Sequence, residues 1–210
     1  MPNASVCVGV IAEDESDVNT ARVLIKRICG HQLGVKHFCG HGCGRIKSKC
    51  RGWAEELRRR GCTFLILLHD RDSRRLEELS AELDSVLKDC AIAEHLLCIP
   101  VEELEAWLLS DPQAIAQALG LDKPPKIPIN TELISSPKEF LQKLVRKASN
   151  GQKIYVHTRH NEKVAGYLRL DRAQRCPSFV PFYSFVTKKI RPKTLLARGP
   201  ISTKHVASIC

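Results

Sequence analysis

Residues 5–12, SVCVGVIA, are almost uninterrupted apolar sequence, the pattern of a strand covered on both faces of a parallel sheet. Ser16 then offers an N-cap, and DVNTARVLIKRI continues with apolar residues at helical spacing. Residues 30–50 are rich in Gly, His and Cys and read mainly as loop. A helix over 48–60 places Trp53 and Leu57 on one face and ends in Arg58, Arg59 and Arg60, where cations suit the helix dipole. TFLILLH, 63–69, is the clearest strand, SRRLEELSAELDSVLKD, 73–89, a clear amphipathic helix, and HLLCIPV, 95–101, a further buried strand. A helix begins over 102–109.

This alternation predicts an α/β fold, a mostly parallel sheet flanked by helices. The Pro-rich stretch GLDKPPKIPINTELISS, 120–136, breaks it, and a helix over 137–148 follows. Phe179, Phe182, Tyr183 and Phe185 suit a core-packing helix. Residues 187–210 show little periodicity. The expected organisation is a catalytic core over 1–120, a helical, basic C-terminal extension of the same domain over 121–186, and a flexible basic tail over 187–210.

Charge sharpens this division. The 210 residues carry a net charge of +10, but residues 1–111 hold 15 Lys+Arg against 18 Asp+Glu, so the excess lies wholly in the second half. Acids in one half and cations in the other fit a centre that holds a metal ion beside a surface that attracts phosphates. No apolar run reaches the ~18 residues of a membrane span. The N-terminal segment turns acidic directly after its short apolar run and reads as a strand rather than a signal peptide, so a cytoplasmic protein with no membrane partner is expected. Most of the ten cysteines are accordingly expected to be reduced, and Cys7, Cys62 and Cys98 sit in apolar runs.

Three strand ends carry acids. Glu13-Asp14-Glu15 follows the first strand, Asp70-Arg71-Asp72 the clearest one, and Glu102, Glu103 and Glu105 follow HLLCIPV. Each group alone has a plain explanation in helix-dipole complementarity, turn chemistry or capping. Together at one sheet edge they repel, and a hard divalent cation, one or two Mg²⁺ or Mn²⁺, relieves that cost with oxygen ligands.

The run Glu13-Asp14-Glu15-Ser16-Asp17 after a strand, followed by Asp70-x-Asp72 after a second, resembles the TOPRIM (topoisomerase–primase) domain over roughly residues 5–110. GCGRIKSKCRGWAEELRRRGCTFLILLHDRD, IPVEELEAWLLSD, KIYVHTRHNEKVAGYL and RCPSFVPF extend the likeness over nearly the whole chain. They are similar to a small bacterial TOPRIM-like family related to OLD-type nucleases, some encoded beside ATPases in phage-defence loci. The family's usual Gly after the strand-end Glu is Asp14 here. The resemblance implies a TOPRIM-like (Rossmann-like) fold. It implies that Glu13 acts as general acid/base or metal ligand, that Asp70 and Asp72 hold metal, and that Glu103 or Glu105 adds a carboxylate. Helical spacing does not choose among Glu102, Glu103 and Glu105.

Two stretches are candidates for phosphate. Gly40-His41-Gly42-Cys43-Gly44-Arg45, with Lys47 and Lys49 after it, joins glycines to cations but lacks Walker A spacing. His157, Arg159, His160 and Lys163, beside Tyr155, form a second basic cluster. His37, Cys39, His41, Cys43 and Cys50 have permissible zinc spacing, but no second C-x-x-C pair completes a site, so zinc is not expected.

The expected function is a Mg²⁺- or Mn²⁺-dependent nuclease acting on DNA or RNA, with a possible ATPase partner implied by the resemblance. Two alternatives stand beside it. One is a receiver-like domain with Asp70 as phospho-acceptor, against which HLLCIPVEELEAW shows acids where a receiver needs Ser/Thr. The other is a non-catalytic nucleic-acid-binding adaptor.

Overall fold

A computed structural model describes residues 6–30, 33–191 and 193. Four parallel strands form one sheet in the order β2-β1-β3-β4, with β1 Cys7–Ala12, β2 Gly34–Cys39, β3 Phe64–Leu68 and β4 Glu94–Cys98. Val8 of β1 lies opposite Val35 of β2 and Phe64 of β3. Chain direction across the sheet reverses between β1 and β3, and such a switch point opens a crevice at the carboxyl ends of the two strands.

Every residue of β1 and of β3 is buried, because helices cover both faces. Val8, Val10 and Ala12, with Phe64, Ile66 and Leu68, face the larger core. There they meet α1 (Glu15–Cys29), α4 (Glu105–Leu109), α5 (Pro112–Leu119), α6 (Pro137–Ala148), α7 (His157–Tyr167), α8 (Leu170–Ala173) and α9 (Phe179–Phe185). Cys7, Ile11, Leu65 and Leu67 face the smaller core, under α2 (Cys43–Arg59) and α3 (Leu76–Leu87). At Gly9 a β-carbon would stand 2.8 Å from Leu57 Cδ1, so the glycine lets α2 lie against β1. Residues 121–186 share the larger core: Leu141, Tyr155, Val164, Phe179 and Phe182 are all buried in it.

The segment 30–50 is not mainly loop. It contains β2 and the first two turns of α2. β2, GVKHFC, is a half-buried edge strand whose polar residues hide the apolar pattern. α2 starts at Cys43 rather than 48, and its buried stripe is Ile46, Cys50, Ala54 and Leu57. Ser16 is not the N-cap of α1. Asp14 is, accepting from the backbone N–H of Ser16 at 2.7 Å and of Asp17 at 3.1 Å. Residues 187–190 are also ordered: a π-helical turn, Val186–Ile190, continues α9 and buries Val186 and Ile190. The rest of the expected tail, residue 192 and residues 194–210, lies outside the described residues. Among the described residues, Cys7, Cys39, Cys50, Cys62, Cys90, Cys98 and Cys176 are free thiols.

Candidate functional site

Two of the acidic segments begin where a buried strand, β1 or β3, runs out at the switch-point edge, and the third follows the edge strand β4. β1 delivers Glu13, Asp14 and Asp17, and β3 delivers His69, Asp70 and Asp72. The turn after β4 leads into α4, which carries Glu105. Asp17, Asp70 and Glu105 form the buried interior of this cluster, and Glu13 is partly buried beside it. Burial pushes the Asp70 carboxyl well above its ordinary 3.8, and the charges of Asp17, Glu105, Asp72 and Glu13 push the same way. Asp17 is raised well above the same value, again by burial first, then by Asp14 and Glu105, with Lys138 opposing. Glu13 and Glu105 are raised chiefly by burial.

The anchoring bonds are specific. Asp70 Oδ1 accepts the Leu104 backbone N–H at 3.0 Å. Glu105 Oε1 accepts from Asn161 Nδ2 at 3.0 Å, while its Oε2 is buried without a hydrogen-bond partner. Asn161 also donates to Ser16 Oγ at 3.4 Å and accepts from the Tyr155 hydroxyl. Lys138, at the start of α6, faces Glu105, Glu103, Asp70 and Asp14, which hold its ammonium above the ordinary range even though burial pulls it down. His69, 1% exposed in its side chain, has Nδ1 2.7 Å from the Asp70 carbonyl and 3.5 Å from Glu13 Oε2.

The three glutamates after β4 separate cleanly. Glu102 sits at φ 59° and is committed elsewhere: it accepts from Arg71 and from both the N–H and hydroxyl of Ser73, each at 3.0 Å. This clasp fixes a turn in which Asp72 (φ 50°) and Ser73 (φ 60°) take left-handed backbone, with the Asp72 N–H bonded to the Glu102 carbonyl. Glu103 turns away to the N-terminus of α6, accepting from the Lys138 N–H at 2.7 Å. Glu105 alone reaches the buried cluster.

The expected basic residues do not converge. Lys47 is paired with Glu82, and Arg45 and Lys49 are exposed on α2. His157 lies at the site, its Nε2 4.0 Å from Asp14 Oδ2. His160 instead accepts the Val156 N–H at 2.9 Å and stacks on Tyr155. Arg159 and Lys163 line a separate hollow with Tyr167 and Gln117. Among the zinc candidates, His37 pairs with Glu15 and Arg22 while Cys50 is buried on the far side of the sheet in the smaller core.

The chemistry of the donors is that of a hard cation: carboxylate oxygens in excess, one Lys against them, and a buried carboxylate oxygen with no partner. Among the described residues, no three His, Cys, Asp or Glu side chains already close around one point as ligands. The residues suited to hold Mg²⁺ or Mn²⁺ are Glu13, Asp70 and Asp72, with Asp17 and Glu105 behind them.

A family model described as a domain of unknown function, DUF4276, matches residues 12–187, the span from the last residue of β1 through the last helix. The chain belongs to the DUF4276 family. No curated protein and no solved structure matches it. Four side chains of this DUF4276 chain join the site without having been assigned to it from sequence: Asp17, His69, Lys138 and Asn161. Asp17 carried a signal, since it closes the acidic run Glu13-Asp14-Glu15-Ser16-Asp17. Lys138 and Asn161 carried none, because their approach depends on how α6 and α7 pack.

Proposed function

We propose that this DUF4276 protein is a Mg²⁺- or Mn²⁺-dependent nuclease with a TOPRIM-like centre. One observation carries the reading: carboxylates from three strand ends, Glu13, Asp70 with Asp72, and Glu105, meet at the switch-point edge with Asp17, and their charge exceeds what Lys138 offsets. A bound divalent cation would supply charge neutralisation and water activation at a phosphodiester. The protein's own residues do the rest. Asp70 is fixed by the Leu104 N–H, and Asp72 is presented by the strained turn that Glu102 clasps. His69 stands beside Glu13, a carboxylate suited to proton transfer. Lys138 gives an ammonium that faces this group, suited to the charge of a phosphate.

The phospho-acceptor alternative has less support: Asp70 is only 8% exposed and one of its oxygens is already bonded to backbone. The test is a cleavage assay on single- and double-stranded DNA and RNA with Mg²⁺ and Mn²⁺, wild type beside Asp70→Ala and Glu13→Ala. The expected result is metal-dependent cleavage lost in both variants. Protein that binds nucleic acid but cuts none of it, alone or with a candidate ATPase partner, supports the adaptor reading instead. Among the described residues no helix is long and apolar enough to cross a membrane.

A further inference from the structure

We infer that the groove between α6 and the segment 151–156 is a binding track for one strand of nucleic acid, leading its phosphates toward the acidic centre. The inference rests on the nuclease reading for the nature of the occupant, and it adds cations, Lys143 and Arg146, that neither basic cluster recognised in the sequence includes. The groove has a volume of about 580 Å³ and is walled by Gln142, Lys143 and Arg146 on α6 and by Gly151 and Ile154 across from them, with Tyr155 beneath. It joins the site at two points. The Tyr155 hydroxyl reaches Asn161, which holds Glu105. Gln142 stands one turn beyond Lys138 on the same side of α6.

Charge selects the occupant. Two of the side chains that line the groove, Lys143 and Arg146, are cations, and none is Asp or Glu. Arg146 has no carboxylate partner among the described residues, and Lys143 has only the exposed Glu139, at 3.4 Å. An exposed pair of that kind contributes little and yields readily to a phosphate. Lys138, Gln142 and Arg146 recur every fourth residue, so the row runs about 12 Å along the helix from the cluster, at 1.5 Å per residue. Ile154 is 73% exposed at the groove edge, an aliphatic contact for a sugar or base face. A cationic groove that follows one backbone beside an apolar contact is the arrangement that holds a single strand.

The test measures binding of fluorescein-labelled oligothymidylate and oligouridylate to the full chain in EDTA, which keeps any metal-dependent cleavage off. Two double variants carry the same change of net charge: Lys143→Glu/Arg146→Glu in the groove and Arg45→Glu/Lys49→Glu on α2. All four positions are exposed on helices, where Glu is well tolerated, and circular dichroism verifies folding. The groove variant should bind the strand at least about tenfold more weakly, with a salt slope shallower by about 1.4, two phosphate contacts at 0.7 each. The α2 variant should stay close to wild type. Equal loss in both variants, loss only in the α2 variant, or no strand binding by wild type overturns the inference. Cleavage is scored separately in Mg²⁺ and Mn²⁺. Active protein whose groove variant still binds like wild type refutes the track and leaves the nuclease reading standing. Inactive protein whose groove variant alone loses the strand does the reverse.

Discussion

Replacing Asp70 with Asn should stabilise the protein when no metal is present. The substitution keeps the contact that orients the side chain, because an amide oxygen can accept the Leu104 N–H as Oδ1 now does at 3.0 Å. It removes a charge that burial and four neighbouring carboxylates all disfavour. A buried acid whose folded pKa is raised binds more protons folded than unfolded. Its favourable contribution is therefore complete below the unfolded value near 3.8 and is lost as pH climbs through the folded pKa. The advantage of Asp70→Asn should then be greatest at alkaline pH and vanish near pH 4. Relief of a strained functional group typically yields about 1–2 kcal/mol. At ~2–4 °C per kcal/mol for a chain of this length, that is a melting-temperature rise of about 2–8 °C in EDTA at pH 8. Mg²⁺ at a hundredfold its dissociation constant should stabilise wild type by about 2.7 kcal/mol and the variant by clearly less. Thermal and urea melts at pH 4 and pH 8, with EDTA or Mg²⁺, read all of this. A variant less stable than wild type in EDTA at pH 8 would refute the reasoning, since the carboxylate would then be a structural partner rather than a frustrated ligand.

Glu102→Gln weakens the clasp on Arg71 and Ser73, which holds the Glu102 carboxyl below its ordinary value against its own burial; the expected cost is about 1.5–3 kcal/mol in urea melts, with weaker Mg²⁺ binding by calorimetry, and an unchanged Mg²⁺ affinity would show that Asp72 does not need the clasp. Trp107→Ala should cost about 3–5 kcal/mol, because the ring is fully buried against Phe179 and Phe182 and its Nε1 donates to Ser178 at 2.8 Å; a loss under 1 kcal/mol by chemical denaturation contradicts this packing. The Cys62 thiol, pushed up to about 12 by burial and its Cys7 neighbour, should resist a thiolate-selective reagent at pH 8 until the protein is unfolded, and fast native labelling, located by mass spectrometry, would show that the site opens.

The strand-end acids were legible because β1 and β3 are buried on both faces and write themselves as apolar runs; whatever follows such a run lands at the sheet edge. β2 was illegible for the opposite reason. Among the described residues it pairs with β1 alone, and the adjacent Lys36 and His37 interrupt its few apolar residues, so its pattern resembles a loop. The start of α2 was masked by glycines and cations around a sparse stripe of Ile46 and Cys50. Among the glutamates after β4, the choice rested on one left-handed residue: φ 59° at Glu102 breaks the helical spacing and leaves Glu105, not its neighbours, aimed inward. The cation at the centre was hidden too. Lys138 lies more than thirty residues beyond the last acid, and only the docking of α6 brings it in.

The centre draws on Glu13 near one end of the chain and on Asn161 far along it, and α7, which carries Asn161, packs lengthwise against α1, which carries Asp17. No shorter stretch contains it. A polypeptide emerging from the ribosome therefore carries all the acids of the centre by residue 105, but the side chains that brace and offset them, Asn161 and Lys138, arrive only once the later helices have been made and folded back.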